Sequence, residues 1–361
     1  MPEIIAPPKT LKISFSLGPV FNVVNSLELL NEAEAFSGLD EWIYRVVAAL
    51  PPERLHNNAV VFVGLNPEVH LLKGTWPSFP AWLDDLAASD PNELRDLDLD
   101  KLLEQADESL DGELPTSDQL LADRSQYLAL VKSLFCDEEK GDYFDEAVHR
   151  EAHALLNDPP AMQDLMVTHL REMWEDVLAA EWERNLPMLQ ESVAAFQTLD
   201  FAGMSCADVV RRVTGRELGG KCAKWQEKAS QIVFVPSAHL GPYVGWIGSG
   251  ETIRLLFGAR VPEGVASTLP ELSRSELLMR LSALADETRL SILELLADED
   301  VLSSQEIMER LDLSQSAASR HLRQLAATGY LSVERREGAK TFQLNRARVD
   351  DTFGALKKSI R

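Results

Sequence analysis

One stretch near the C-terminus constrains the fold more than any other: LSQSAASRHLRQLAATGYLSVERREGAKTFQL, residues 313–344. Its period changes partway along. Before Gly329, Ala318, Leu322 and Leu325 recur at i, i+4 and i+7, which marks the buried side of a helix. After it the residues alternate. Leu331 and Val333 point inward, a turn falls at Glu337-Gly338-Ala339, and Phe342 and Leu344 then point inward with Thr341 and Gln343 outward. Gly329 stands where a helix ends in the left-handed conformation. The spacing therefore predicts a helix running into a two-stranded hairpin.

Two further helical patterns lead into it. In SRSELLMRLSALADETRLSILELLAD, Leu277, Leu281 and Leu284 recur at helical spacing, with Leu278 beside them. Asp286 is placed to cap the next helix, whose apolar face carries Leu290, Ile292, Leu293 and Leu296. In SSQEIMERLDL, Ser303 or Ser304 can cap, Ile307 and Leu311 face inward, and Asp312-Leu313 makes a tight turn. Ser314 then caps the following helix. Helix, turn, helix and hairpin in this order predict a winged helix-turn-helix.

The outward residues of the 314–327 helix suit nucleic acid. Gln315, Ser316, Ser319, Arg320 and Arg323 share the side opposite the apolar row. Small residues at its N-terminal end permit close approach to base edges, Gln can pair with adenine, and Arg with guanine. The helix N-terminus at Ser314 favours phosphate. Arg335, Arg336 and Lys340 cluster at the hairpin tip. The charge distribution agrees. The chain carries a net −23, yet residues 271–361 hold 14 Lys and Arg against 15 Asp and Glu, and residues 314–348 hold 7 against 2. A positive island on an acidic chain confines polyanion binding to one face.

Residues 273–358 resemble the ArsR/SmtB family of bacterial winged-helix regulators. LSALADETRLSILELL and LSQSAASRHLRQLAATGYLSVERREGAKTFQL match its two hallmark stretches nearly in register. The resemblance implies an intracellular regulator, more often a repressor, that binds double-stranded DNA as a homodimer built on the first and last helices of the module. Val349, Phe353, Leu356 and Ile360 supply an apolar stripe on the last helix. It further implies a recognition helix in the major groove, a wing on the backbone or minor groove, and half-sites about 10 bp apart. The family pattern also places a histidine at His321, counted here among the DNA-binding residues. The family's metal sites do not carry over, because SSQEIMERL lacks a thiol and RVDDTFGALKKSI lacks a histidine. Some 270 residues precede the match; WPSFPAWLDDL and VFVPSAHLGPYVGW fit a subgroup of ArsR-like regulators with a large N-terminal domain.

That N-terminal region, residues 1–265, reads as a mixed, mostly helical domain with a small β-sheet, so the chain as a whole is α+β, with the winged module at 271–361. LKISFSL alternates like a strand, with Leu11, Ile13, Phe15 and Leu17 on one side. NVVNSLELLNEAEAF and DEWIYRVVAAL read as helices, and NNAVVFVGL as a buried strand or a helix start. GTWPSFPAWLDDLAASD leads into a short helix. Residues 90–118 are acidic surface helix and loop, or a flexible insertion. Residues 118–200 are mostly helical, including a long stretch from Pro160 to about Leu199. Ile232 to Val235 form a β-rich run, GWIGSGETIRLLFG a hairpin, and 262–276 a linker. No secretory signal and no apolar run near the ~20 residues of a membrane span are visible. Three scattered cysteines, Cys136, Cys206 and Cys222, argue against a disulfide framework and a Cys-based zinc site. A cytoplasmic protein without membrane contact is expected.

Other motifs have plainer readings beside them. Glu146, His149 and His153 lie at helical spacing and could hold zinc, but the pattern is not HExxH, and a helix face explains it. GWIGSGETIRL matches neither GxGxxG nor GxxxxGK[ST]. Ser237 and His239 lack a GxSxG context and read as a loop at a strand end. Trp42, Trp76, Trp82, Trp174, Trp182, Trp225 and Trp246 could line a pocket for an apolar effector, though large aromatics more often fill cores. The reading is a regulator without catalytic residues, cofactor or bound metal. A small-molecule effector is a further partner the N-terminal domain could take. The alternative is an enzymatic or metal-binding N-terminal domain with a regulatory winged helix attached.

Overall fold

The computed structural model describes residues 11–36, 38–72, 74–110, 113–137, 141–142, 144–216, 218, 221–248, 251–262, 274–336 and 339–360. The fold is α+β and mostly helical. Its strands are β1 (Lys12–Phe15), β2 (Cys136–Asp137), β3 (Gly141–Asp142), β4 (Gln231–Ser237), β5 (Val244–Ile247), β6 (Thr252–Gly258), β7 (Leu302–Ser303), β8 (Leu331–Arg336) and β9 (Ala339–Leu344).

The alternating LKISFSL run forms β1, and the β-rich 232–235 run forms the middle of β4. They join one sheet of order β1-β4-β6-β5. β1 pairs parallel with β4, Ile13 opposite Ile232, and β4 pairs parallel with β6. β5 and β6 form the antiparallel arm expected from GWIGSGETIRLLFG. Phe15 stacks on Phe196 and Phe234, with ring centroids 5.4 Å apart in both pairs.

The helix Pro19–Asn31 is buried on nearly all sides, with Val24 and Leu27 fully enclosed. This follows from its sequence, PVFNVVNSLELLN, whose sole charged residue is Glu28. The ambiguous NNAVVFVGL segment is helical. It completes the helix Pro52–Ala59 and continues as a π-helical turn, Val60–Gly64. A Cβ on Gly64 would lie 2.7 Å from Cβ of Ala152, so glycine lets this turn close on the helix Glu146–Leu156. The acidic 90–118 stretch is mainly one helix, Pro91–Ser109, anchored by Leu94, Leu99 and Ala106. The long helical stretch after Pro159 comprises Pro159–Met173, a π-helical turn Trp174–Leu178, and Ala179–Gln197 with Pro187 inside it. Of the predicted linker 262–276, residues 263–273 lie outside the described residues, and 274–276 already belong to a helix.

The C-terminal part contains the helices Arg274–Leu284, Glu287–Asp298, Ser304–Leu311, Gln315–Ala327 and Arg346–Ser359, with a sheet of order β7-β9-β8. Its core gathers Ile292, Leu296, Ile307, Leu322, Leu325 and Tyr330. Two residues expected inside are not: Leu290 is 44 % and Val333 41 % exposed. Both sit at the margin of their apolar faces, where the helix bundle and the short sheet leave them uncovered.

The tryptophans are mainly packing residues. Trp82 is fully buried, Trp42 and Trp225 nearly so, and Trp246 lies on the surface beneath the Lys221 ammonium, 3.3 Å from the ring centroid. Among the described residues no helix is long and apolar enough to cross a membrane.

Candidate nucleic-acid interface

Local sequence sets the helix Gln315–Ala327 in place. Ser303 and Glu306 form a reciprocal capping box on the helix Ser304–Leu311. That helix ends at Asp312, whose φ of 51° is the left-handed conformation that reverses the chain. Ser314 then accepts from the Ala317 N–H and opens the helix Gln315–Ala327. Gly329, at φ 80°, releases the chain into β8. A Cβ there would come within 2.5 Å of the Arg216 guanidinium and 2.7 Å of Arg348 Nε. In front of the helix pair, Asp286 caps the helix Glu287–Asp298, and Arg289 donates to the carbonyls of Ser282 and Ala283.

The face read from the sequence divides in three. Ala318, Leu322 and Leu325 are buried, as their spacing requires. Ser314, Gln315, Ser316 and Arg320 are exposed, and Ser319 is half-exposed beside them. Arg323 is half-buried, with its guanidinium 5.3 Å from the centroid of the Phe36 ring. Burial raises the nearby Glu32 carboxyl, and the Arg323 charge pulls it back down. Phe36 and Glu32 lie almost 290 positions away, so no local pattern marks this contact.

His321 departs from the sequence expectation. It is 7 % exposed, with Nδ1 3.7 Å from Asp286 Oδ1. It lies against the Asp286 cap rather than on the exposed face, and burial lowers its pKa while the Asp286 charge opposes that shift. In the wing, Arg335 stands opposite Lys340 and Arg336 opposite Ala339 in the β8–β9 register. Lys340 is half-exposed, while the side chains of Arg335 and Arg336, and residues 337–338 of the turn, lie outside the described residues.

The N-terminal candidates resolve into packing. Glu146 pairs with Arg150 on the surface. His153 is buried, with Nε2 3.0 Å from the Leu120 carbonyl oxygen, and His149 stacks on Phe144 at 5.3 Å. Among the described residues no three His, Cys, Asp or Glu side chains are arranged to hold a metal ion. Ser237 and His239 do not meet. His239 instead lies between Ser26 and Glu181, with Nδ1 2.8 Å from Ser26 Oγ and Nε2 3.1 Å from Glu181 Oε1. A carboxylate only accepts, so Nε2 carries a proton, while the Ser26 hydroxyl, which donates to the Asn22 carbonyl oxygen at 2.7 Å, lies against Nδ1. Burial alone would raise Glu181, but hydrogen bonds from His239, Arg184 and Asn185 outweigh it and hold it at about 2. The neighbouring cavity measures about 10 Å³, room for no more than about one water. The thiols of Cys206 and Cys222 are both free and buried.

A capped helix pair, a tight turn and an adjoining antiparallel hairpin define a winged helix-turn-helix module. Residues 286–333 match the model of the bacterial regulatory protein arsR family. The C-terminal region therefore carries a DNA-binding domain of the arsR type found in bacterial regulators, and the match does not reach the N-terminal region. No curated protein matches the chain.

Proposed function

We propose that the chain is a homodimeric operator-binding repressor. The helix Gln315–Ala327 enters the major groove, Gln315, Ser316, Ser319 and Arg320 read or grip it, and the wing residues Arg335, Arg336 and Lys340 bind the backbone. The observation that carries this is the exposed polar and cationic end of a helix whose other side is locked into the core. Arg323 joins the interface once it leaves Phe36. The dimer uses the helices Arg274–Leu284 and Arg346–Ser359, where Leu278 is 57 %, Phe353 46 % and Ile360 76 % exposed, an apolar surface a partner copy would cover. Residues 1–265 form the sensing or dimer-stabilising domain and 271–361 the DNA-binding domain. Repression follows from a dimer that occludes polymerase. The reading assigns no catalytic step, cofactor or metal, and places the protein in the cytoplasm.

The competing reading, a catalytic N-terminal domain, has the Ser26–His239–Glu181 arrangement in its favour. A cavity of about 10 Å³ beside it leaves a substrate no room. A protection footprint of the purified protein on its own upstream DNA tests the proposal. Two protected half-sites about 10 bp apart, with guanine N7 shielded in the major groove, are expected. Protection of a single site, or of the minor groove alone, would overturn the dimeric major-groove reading.

A further inference from the structure

A second and much larger cavity lies in the N-terminal region, and none of the tryptophans lines it. It measures about 270 Å³, close to the lower end of the about 300–1,000 Å³ typical of small-molecule pockets. Its floor is the π-helical turn Val60–Gly64, and such turns recur at functional sites. The walls come from the helices Pro19–Asn31, Pro91–Ser109, Arg124–Phe135 and Glu146–Leu156. Two features set it apart from a packing defect. Three carboxyl side chains, Glu28, Glu68 and Asp98, line it, and among the described residues no Lys or Arg does. Glu68 Oε1 is also completely enclosed and has no hydrogen-bond partner among the described residues. Buried polar atoms of this kind are costly unless something pairs with them. The rest of the lining combines apolar side chains such as Phe62, Leu99 and Leu102 with the polar Asn66, Gln105, Tyr127 and His149.

We propose that this cavity binds a compact organic cation, a primary amine with an apolar body, whose ammonium group is held by Glu28, Glu68 and Asp98. Burial raises both Glu28 and Glu68, and the Glu68 charge raises Glu28 further, so the pair ionises fully only beside a counter-charge. His149 also lines the cavity but is held at about 4 by burial, so it supplies no positive charge at neutral pH. A metal ion is the poorer occupant, because among the described residues no three such groups are arranged to hold one. The apolar walls would lie against the ligand's carbon skeleton.

The location gives the ligand an output. Glu28 lies in the last turn of the helix that Glu32 caps, the Arg323 charge acts on Glu32, and Arg323 itself lies over the Phe36 ring. Use of the cavity as an effector site rests on the operator-binding reading, whereas its occupancy does not.

The test is calorimetric titration of the full-length protein, without DNA, with phenethylamine and hexylamine. 2-Phenylethanol and phenylacetate serve as the neutral and anionic controls. At least one amine should bind saturably with one site per chain, and neither control should bind. Glu68→Gln and Glu28→Gln, which keep the side-chain shape, should each weaken the amine more than about tenfold. Leu102→Trp, which fills the cavity without changing charge, should remove binding. The proposal is overturned if neither amine saturates by about 10 mM. It is equally overturned if a control binds as tightly as the amines, or if the carboxamide variants bind like wild type with unchanged circular dichroism. Because DNA is absent, failure here leaves operator binding standing, and loss of operator binding leaves this result standing.

Discussion

Replacing Asp98 by asparagine should stabilise the folded chain, by an amount that grows with pH. Asp98 lines the 270 Å³ cavity and accepts a hydrogen bond from the Asn66 N–H at 3.0 Å. Burial raises its pKa from 3.8 to about 7, only partly offset by that hydrogen bond. The folded chain thus binds this proton more tightly than the unfolded chain. Stability is unaffected below pH 3.8, falls as pH rises through the interval up to about 7, and is constant beyond it. Between about pH 5 and pH 7 each unit costs about 1.4 kcal/mol, a ceiling of about 3 kcal/mol. The cavity, at about 270 Å³, is large enough for water to solvate the ionised carboxylate, which would lower this to about 1–2 kcal/mol. The Asp98→Asn carboxamide would keep an oxygen for the Asn66 N–H and cannot ionise. Urea unfolding of both proteins at about pH 5 and about pH 8.5, followed by circular dichroism at matched m-values, measures the difference. The variant's advantage should grow by about 1–2 kcal/mol between the two. A pH-independent difference, or a variant less stable at the higher pH, would refute the burial argument.

Three other outcomes follow from named contacts. Tyr330 is fully buried, and its hydroxyl lies 3.1 Å from the Arg280 carbonyl oxygen and 3.0 Å from Thr352 Oγ1, joining the first and last helices of the winged module. Tyr330→Phe should cost about 1–2 kcal/mol in a denaturation experiment; an unchanged midpoint contradicts that role. Phe36→Ala removes the ring beneath Arg323 and should tighten DNA binding about two- to fivefold by anisotropy, the equivalent of a cation–π contact of about 0.5–1 kcal/mol. Equal or weaker binding would show that this contact does not compete with DNA. Phe353→Asp places a charge in the exposed apolar stripe and should yield monomers in sedimentation equilibrium, while persistence of the dimer would move the interface elsewhere.

The winged module is legible because its information is local. Ser314, Asp312 and Gly329 each sit where a cap, a reversal or a left-handed exit is needed, and Ala318, Leu322 and Leu325 fix which side is buried. The N-terminal region depends on distant partners. Ile13 meets Ile232 across more than 200 residues, and periodicity carries no record of that pairing. NNAVVFVGL has the composition of a strand, but the preceding helix simply runs on through it as a π turn. The same applies to sites. Ser26, Glu181 and His239 share no motif, and Arg323 meets Phe36 only in the folded chain. The three cavity carboxylates are dispersed among 58 acidic residues, and no shared motif links them. One signal was available: Glu28 is the single charge in a helix that is otherwise apolar or neutral all round, so its carboxylate had to face something other than hydrocarbon.

The central claim is that the exposed end of the helix Gln315–Ala327 reads an operator. Its most direct test is fluorescence anisotropy of the protein on a duplex from its own upstream region and on random DNA, across a salt series, for wild type and Arg320→Ala. Wild type should prefer the upstream duplex, with affinity falling steeply as salt rises. Arg320→Ala should lose about 1–3 kcal/mol on that duplex and far less on random DNA. Equal affinity of wild type for both duplexes at every salt concentration, or an equal loss on both for Arg320→Ala, would contradict it.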